Sequence, residues 1–138
     1  MTTLTAVYEG NLRTLLQHTR SGQSFITDAP PDNQGKGEAF SPTDLVCAAL
    51  ASCMLTTMGI VAARDNINLK GMKAEVTKVM TGHPRRIAEI QIILSHPDLH
   101  ASPEQKQKLK NTALACPVAL SLSEAVLTCP PGCSSFWA

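Results

Sequence analysis

The stretch Ser41-Pro42-Thr43-Asp44-Leu45-Val46-Cys47-Ala48-Ala49-Leu50-Ala51-Ser52-Cys53 decides how this chain folds. Ser41 is a natural N-cap. Pro42 suits the first helical position, where its missing N–H is not needed, and Asp44 occupies the capping-box position. No charge follows from Leu45 to Ala63, so a helix is expected to run to about Arg64, roughly 33 Å long. It is apolar on every face, which predicts burial on every face. A short chain cannot wrap such a rod alone, and a symmetric dimer with this helix at its centre is the economical arrangement. By length the segment could cross a bilayer. It is rich in Ala, Ser, Thr, Cys and Met, lacks Trp or Tyr at its ends, and stands alone between amphipathic segments. It is therefore read as a core helix, not a membrane span.

Outward from the helix, periodicity predicts the remaining elements. Leu4 to Tyr8, Leu12 to Thr19 and Gln23 to Thr27 read as a three-stranded meander, with turns at Glu9-Gly10-Asn11 and Ser21-Gly22. Asp28 to Glu38 holds two prolines, two glycines and three acidic residues and reads as a loop. On the far side, Met72 to Met80 alternates Lys73, Glu75 and Thr77 against Ala74, Val76 and Met80. Thr81-Gly82-His83-Pro84 turns the chain into a partner strand, Ile87 to Ser95, with Ala88, Ile90, Ile92 and Leu94 inward. Ser102-Pro103-Glu104-Gln105 is a second capping box, opening an amphipathic helix to about Ala115 that turns Leu109, Ala113 and Cys116 inward. Pro117 starts a short helix through Leu122. Ala125 to Thr128 reads as a last strand, Cys129 to Cys133 as a turn, and Ser134 to Ala138 as a tail. The order predicts an α+β fold.

At 138 residues the chain is expected to form one domain, residues 1–138. Hydrophobic residues make up 43% and charged residues 17%, a low charge content that fits apolar surface hidden against a second subunit. The net charge is +1 with the basic residues dispersed. Lys106, Lys108 and Lys110 read as the wet side of a helix, so no nucleic-acid partner is expected. Met1-Thr2-Thr3-Leu4-Thr5 has neither the basic region nor the apolar run of a secretion signal, which predicts a cytoplasmic protein. Five cysteines in that compartment should be mostly reduced, and a disulfide there would be catalytic or transient.

Two thiols stand out. Cys53 lies inside the long uncharged helix, where a cysteine also packs well as a small apolar residue. Cys116 precedes Pro117. As N-cap of the short helix its sulfur would face free backbone N–H groups, lowering the thiol pKa. Simple C-capping of the preceding helix is the plainer reading. Cys47 lies six positions before Cys53 and points to another face. Cys129 and Cys133 read as an inert turn, since a metal site needs about four ligands and no matching pair lies nearby. There is no Gly-rich phosphate loop, no G-x-S-x-G elbow and no HExxH.

Phe40-Ser41-Pro42-Thr43-Asp44-Leu45-Val46, then Ala49-Leu50-Ala51-Ser52-Cys53, then Cys116-Pro117-Val118 resemble the OsmC/Ohr family of osmotically inducible and organic hydroperoxide resistance proteins. Pro84-Arg85-Arg86-Ile87 resembles its OsmC-like branch. The resemblance runs from the Tyr8 strand to about Val126. It implies an OsmC-like fold, with curved antiparallel sheets packed around long central helices in an intertwined homodimer. It also implies thiol-dependent reduction of organic hydroperoxides, with no metal, no bound organic cofactor and an external dithiol as reductant. Cys53 matches the peroxidatic cysteine and Cys116 the resolving one. Arg13 is the best match for a family arginine that stabilises the thiolate, with Arg20 the runner-up. The family also has a glutamate ten residues before the first cysteine, and here Thr43 stands there.

On that reading Cys53 attacks the peroxide, Cys116 condenses with the resulting sulfenic acid, and Ala49, Leu50, Met54 and Val118 favour organic substrates. Two other readings stay open. One is a non-enzymatic dimer that binds a small apolar or electrophilic molecule, which the Thr43 departure favours. The other is a thiol redox sensor whose disulfide alters a partner contact.

Overall fold

The computed structural model describes residues 1–126, 128 and 136–138. The chain is α+β, with two antiparallel sheets, and falls into two units, Met1–Val46 and Cys47–Ala138.

The first unit holds strands β1 (Leu4–Gly10), β2 (Arg13–His18) and β3 (Ser24–Asp28), hydrogen-bonded in that order. The β1–β2 turn takes Gly10, Asn11 and Leu12 through positive φ angles of 85°, 55° and 62°. Leu12 therefore belongs to the turn, and β2 begins at Arg13. β3 runs one residue further than predicted. Asp28 is its last residue and pairs directly with Arg13 across the sheet, so it is not a loop residue. The loop proper runs from Ala29 to Glu38 and contains a short 3-10 turn, Pro31–Asn33. It doubles back tightly: Gly35 N donates to Pro30 O at 3.0 Å and Gly37 N to Ala29 O at 3.2 Å. A Cβ on Gly35 would sit 1.7 Å from the Ala29 carbonyl oxygen, so the loop closes only with glycine there.

Helix α1 (Pro42–Arg64) has the predicted ends. Asp44 N donates to Ser41 Oγ at 3.1 Å and Ser41 N to Asp44 Oδ2 at 3.0 Å, a reciprocal cap. Within the single chain one face of it is buried. Cys47, Leu50, Met54, Met58 and Ala62 form one buried stripe at the three- and four-residue spacing of a helix face. Ala49, Ser52 and Thr56 face solvent, and Ile60 is 50% exposed. Small side chains and hydroxyls make that exposure tolerable. Thr56 Oγ1 donates to the Ser52 carbonyl at 2.8 Å and Thr57 Oγ1 to the Cys53 carbonyl at 3.0 Å. The helix is long and apolar enough to cross a membrane, while its Cys47–Ala62 stripe is part of the chain's own core.

In the second unit β4 (Lys73–Thr81) and β5 (Arg86–Ser95) form a hairpin. Its register slips between Val79↔Glu89 and Met80↔Ile87, leaving Ala88 as an extra residue. The bulge puts Ile87, rather than Ala88, among the buried residues with Ile90, Ile92 and Leu94. Helix α2 (Pro103–Leu114) starts with the predicted Ser102/Gln105 capping box and buries Leu109 and Ala113. Helix α3 (Pro117–Ser121) follows. The strand expected at Ala125 to Thr128 is not formed at Ala125, Val126 or Thr128, which lie in turns and bends. Leu127 and the expected Cys129–Cys133 turn lie outside the described residues.

The chain end, read from sequence as a tail, is hydrogen-bonded to β5. Leu94 N donates to Phe136 O at 2.8 Å, Ala138 N donates to Leu94 O at 2.7 Å, and Trp137 bridges Leu94 in parallel. The Phe136 ring is 1% exposed, stacks edge-on against Trp137 and lies under the Lys110 ammonium. Phe136 is thus part of the core. An aromatic ring this large is stabilised by leaving water wherever a sheet edge can receive its backbone.

The first unit buries Thr27, Asp28 and Ser41, while Leu4, Val7, Tyr8, Phe25 and Phe40 stay exposed. Its apolar surface is therefore on the outside.

Candidate functional site

Cys116 occupies the junction of two helices. Its backbone N–H donates to the Ala113 carbonyl at 3.2 Å, closing α2. Its sulfur accepts the Ala119 N–H at 3.5 Å, capping α3. Of the two readings of this residue the N-cap is realised, and the C-cap of α2 is Ala115. Pro117 makes that possible: it has no N–H to satisfy at the first position of α3, and it stops α2 from continuing.

The expected fall in the Cys116 pKa is not found. The side chain is only 1% exposed. Burial pushes the thiol above its ordinary value, outweighing the lowering by the Ala119 and Val118 N–H groups. The neighbouring Cys53 pushes the same way through hydrogen bonding and charge. Cys53 is thus near enough to act on the Cys116 thiol; Cys53 is half-buried, Cys116 is buried, and both are free thiols. Cys47 is also free and buried, in the core stripe of α1.

A titration follows from this. A folded thiol pKa above the unfolded value contributes stability that is complete below the ordinary 9.0 and lost as pH rises through the higher folded value. Urea midpoints should fall with pH in that alkaline window, and Cys116→Ser should show a flatter decline. Parallel curves for the two proteins would contradict a buried, protonated Cys116.

In the first unit Arg13 is clamped. Its Nε donates to Asp28 Oδ1 at 2.7 Å and its Nη2 to Asp28 Oδ2 at 2.8 Å, with Glu38 Oε2 at 3.5 Å. Asp28 is 2% exposed. The Arg13 hydrogen bond, then the Arg13 charge, hold its carboxyl below the usual range against the opposing pull of burial. Asp28 Oδ2 also accepts the Glu38 N–H at 3.1 Å. Arg20, the other candidate cation, sits exposed in the β2–β3 turn. Thr43 Oγ1 lies 3.3 Å from Ser41 Oγ at the start of α1.

Asp28 is the Arg13 partner that sequence reading missed. A signal was available for it. Counting back through a short β2–β3 turn puts position 28 opposite position 13, where opposite charges stabilise a strand pair.

A further feature of the first unit is an apolar cavity of about 720 Å³ lined by Leu15, Ser24, Phe25, Ile26, Ala39, Phe40 and Leu45. None of the predicted site residues lines it. Of the four apolar residues named with Cys53, Leu50 and Met54 are fully buried, Val118 is half-buried and Ala49 is exposed. Among the described residues no cluster of His, Cys, Asp and Glu could hold a metal ion.

The chain thus carries one thiol on a capped apolar helix and a second at a helix junction, in an α+β fold. The family model of OsmC-like protein matches residues 35–129, and the chain belongs to that family. A structure from Psychrobacter arcticus 273-4, provisionally described as an osmotic stress induced and detoxification response protein, is 48% identical, with 93% of each chain covered and a TM-score of 0.89. The organic hydroperoxide resistance protein OsmC of Legionella pneumophila shares the fold at 20% identity, 93% of each chain and a TM-score of 0.69. The organic hydroperoxide resistance protein OhrB of Bacillus subtilis does so at 19% identity, 91% of this chain and 92% of that one, and a TM-score of 0.63. No match is found among curated proteins.

Proposed function

We propose that this chain is a thiol-dependent reductase of organic hydroperoxides, acting as one domain over residues 1–138 in a cytoplasmic homodimer. The observation that carries the reading is the meeting of Cys53 and Cys116, with Cys116 held protonated beside Cys53. The Cys53 thiolate attacks the distal oxygen of ROOH. An S–O bond forms, the O–O bond breaks, and the alkoxide leaves as ROH after taking a proton. The sulfenic acid then condenses with the Cys116 thiol, forming the disulfide and releasing water. A proton is needed for that water to leave, and Cys116 carries one. An external dithiol returns both sulfurs to thiols and is itself oxidised to a disulfide. Arg13 supplies the cation that favours the ionised Cys53.

Family membership supports this chemistry, as do the hydroperoxide-resistance names of the Legionella and Bacillus proteins. The outward Leu4, Val7, Tyr8, Phe25 and Phe40 and the exposed Ile60 support the dimer, since apolar surface of this extent is normally covered.

The test follows dithiol-driven consumption of cumene hydroperoxide and of hydrogen peroxide, with the sedimentation mass of the same sample. Faster turnover of the organic peroxide by a particle of twice the chain mass is expected. No turnover by the fully reduced protein would end the proposal, and a monomeric active species would remove the dimer from it.

A further inference from the structure

We propose that Asp28 is the positioning residue for Arg13, taking the place of the acid that is missing at Thr43, and that the same carboxylate locks the Ala29–Glu38 loop against it. The inference rests on the reading of Cys53 as the peroxide-reacting thiol.

Three features of the structure lead there. Arg13 and Asp28 are direct partners on adjacent strands, so both backbones are fixed by sheet hydrogen bonds. A strand-borne anchor is more rigid than a loop-borne one. The bond is two-pronged, at 2.7 and 2.8 Å, from Nε and Nη2. That geometry fixes the plane of the guanidinium as well as its position and turns the Nη1 end away from Asp28. The second carboxylate, Glu38, meets the same Nη2 at 3.5 Å. Finally, Asp28 Oδ2 takes both the Arg13 Nη2–H and the Glu38 N–H, the latter at 3.1 Å. One oxygen thus couples the arginine to the loop, and the loop carries the Glu38 carboxylate to within 3.5 Å of Nη2. Asp44, beside Thr43, closes the α1 cap through the Ser41 N–H at 3.0 Å. Glu38 is 64% exposed at its side chain and bonds at a longer distance, so it assists and Asp28 holds.

The experiment reads two quantities: kcat/KM for cumene hydroperoxide, and the rate of iodoacetamide alkylation at Cys53 at neutral pH, located by peptide mass spectrometry. A cation moved off a thiolate lowers its ionised fraction about tenfold per unit of pKa, and a misplacement of about 1 Å costs on the order of 100-fold in rate. Asp28→Asn should therefore slow alkylation roughly tenfold and kcat/KM about 10- to 100-fold. In an Arg13→Gln background the same change should have an effect below about threefold, because Asp28 acts through Arg13. Equal losses in both backgrounds would show that Asp28 serves only the fold and would overturn the proposal. Should Asp28→Asn fail to fold by circular dichroism, Asp28→Glu keeps the charge and displaces the guanidinium. Slowed alkylation in that folded variant supports the positioning role, and wild-type rates overturn it. A wild-type protein without turnover, in which Asp28→Asn still slows alkylation, removes the peroxidase reading and leaves the positioning role. Full activity and wild-type alkylation in Asp28→Asn do the reverse.

Discussion

Cys53→Ser should abolish dithiol-driven peroxide consumption, leaving only the uncatalysed rate. Cys116→Ser should consume about one equivalent of peroxide per chain and then stall. The difference follows from the bonds each sulfur makes. Without Cys53 no S–O bond forms, and a serine hydroxyl is far too weakly ionised to substitute at neutral pH. Without Cys116 the first step proceeds, but the sulfenic acid has no partner thiol beside it. A sulfenic-acid trap such as dimedone should label Cys53 in Cys116→Ser after one addition of peroxide. In the wild-type protein the same treatment should yield an intrachain disulfide, seen as a loss of two hydrogens in the intact mass. The two variants must be compared at matched dithiol concentration, since excess dithiol attacks the sulfenic acid directly. Undiminished turnover in Cys53→Ser would remove the thiol mechanism. Undiminished turnover in Cys116→Ser would remove only its resolving role.

The second large effect concerns the chain end. Phe136→Ala should destabilise the protein by about 3–5 kcal/mol, the usual loss when a buried ring is truncated. That is a large share of the roughly 5–15 kcal/mol by which a domain is stable at all. The ring is one of the largest fully buried side chains among the described residues. Its removal leaves a cavity and takes away the surface beneath the Lys110 ammonium. The Leu94 N–H to Phe136 carbonyl bond uses backbone only, so the variant keeps it and the measured loss reports the ring. Urea unfolding at one protein concentration is the appropriate measurement, because stability in a dimer depends on concentration. A change below about 0.5 kcal/mol, typical of surface sites, would mean that Phe136 is not part of the core.

Phe136 also marks a limit of reading along the chain. Ser134-Ser135-Phe136-Trp137-Ala138 has no period to recognise, and an aromatic residue near a terminus looks the same whether buried or frayed. Only the free edge at Leu94 makes it a core residue. Asp28 carries the same lesson. Among prolines, glycines and acids it reads as loop, and only the β2–β3 register places it against Arg13. The Cys116 pKa fails for a third reason. The helix-cap geometry was legible and is present, but the cost of ionising a buried sulfur depends on how many groups surround it, and those come from elsewhere in the chain.

What could be read directly was local. Ser41, Pro42 and Asp44 determine where α1 starts, and Ser102 and Gln105 where α2 starts, because caps are satisfied within one turn. Alternation determines β4 and β5, and the two cysteine settings determine the candidate thiols. The tertiary structure decided which face of α1 is buried, which acid holds Arg13, and that two sulfurs far apart in sequence stand together. Those outcomes depend on packing between distant segments, where the relevant energies arise from neighbours that no short window of sequence contains.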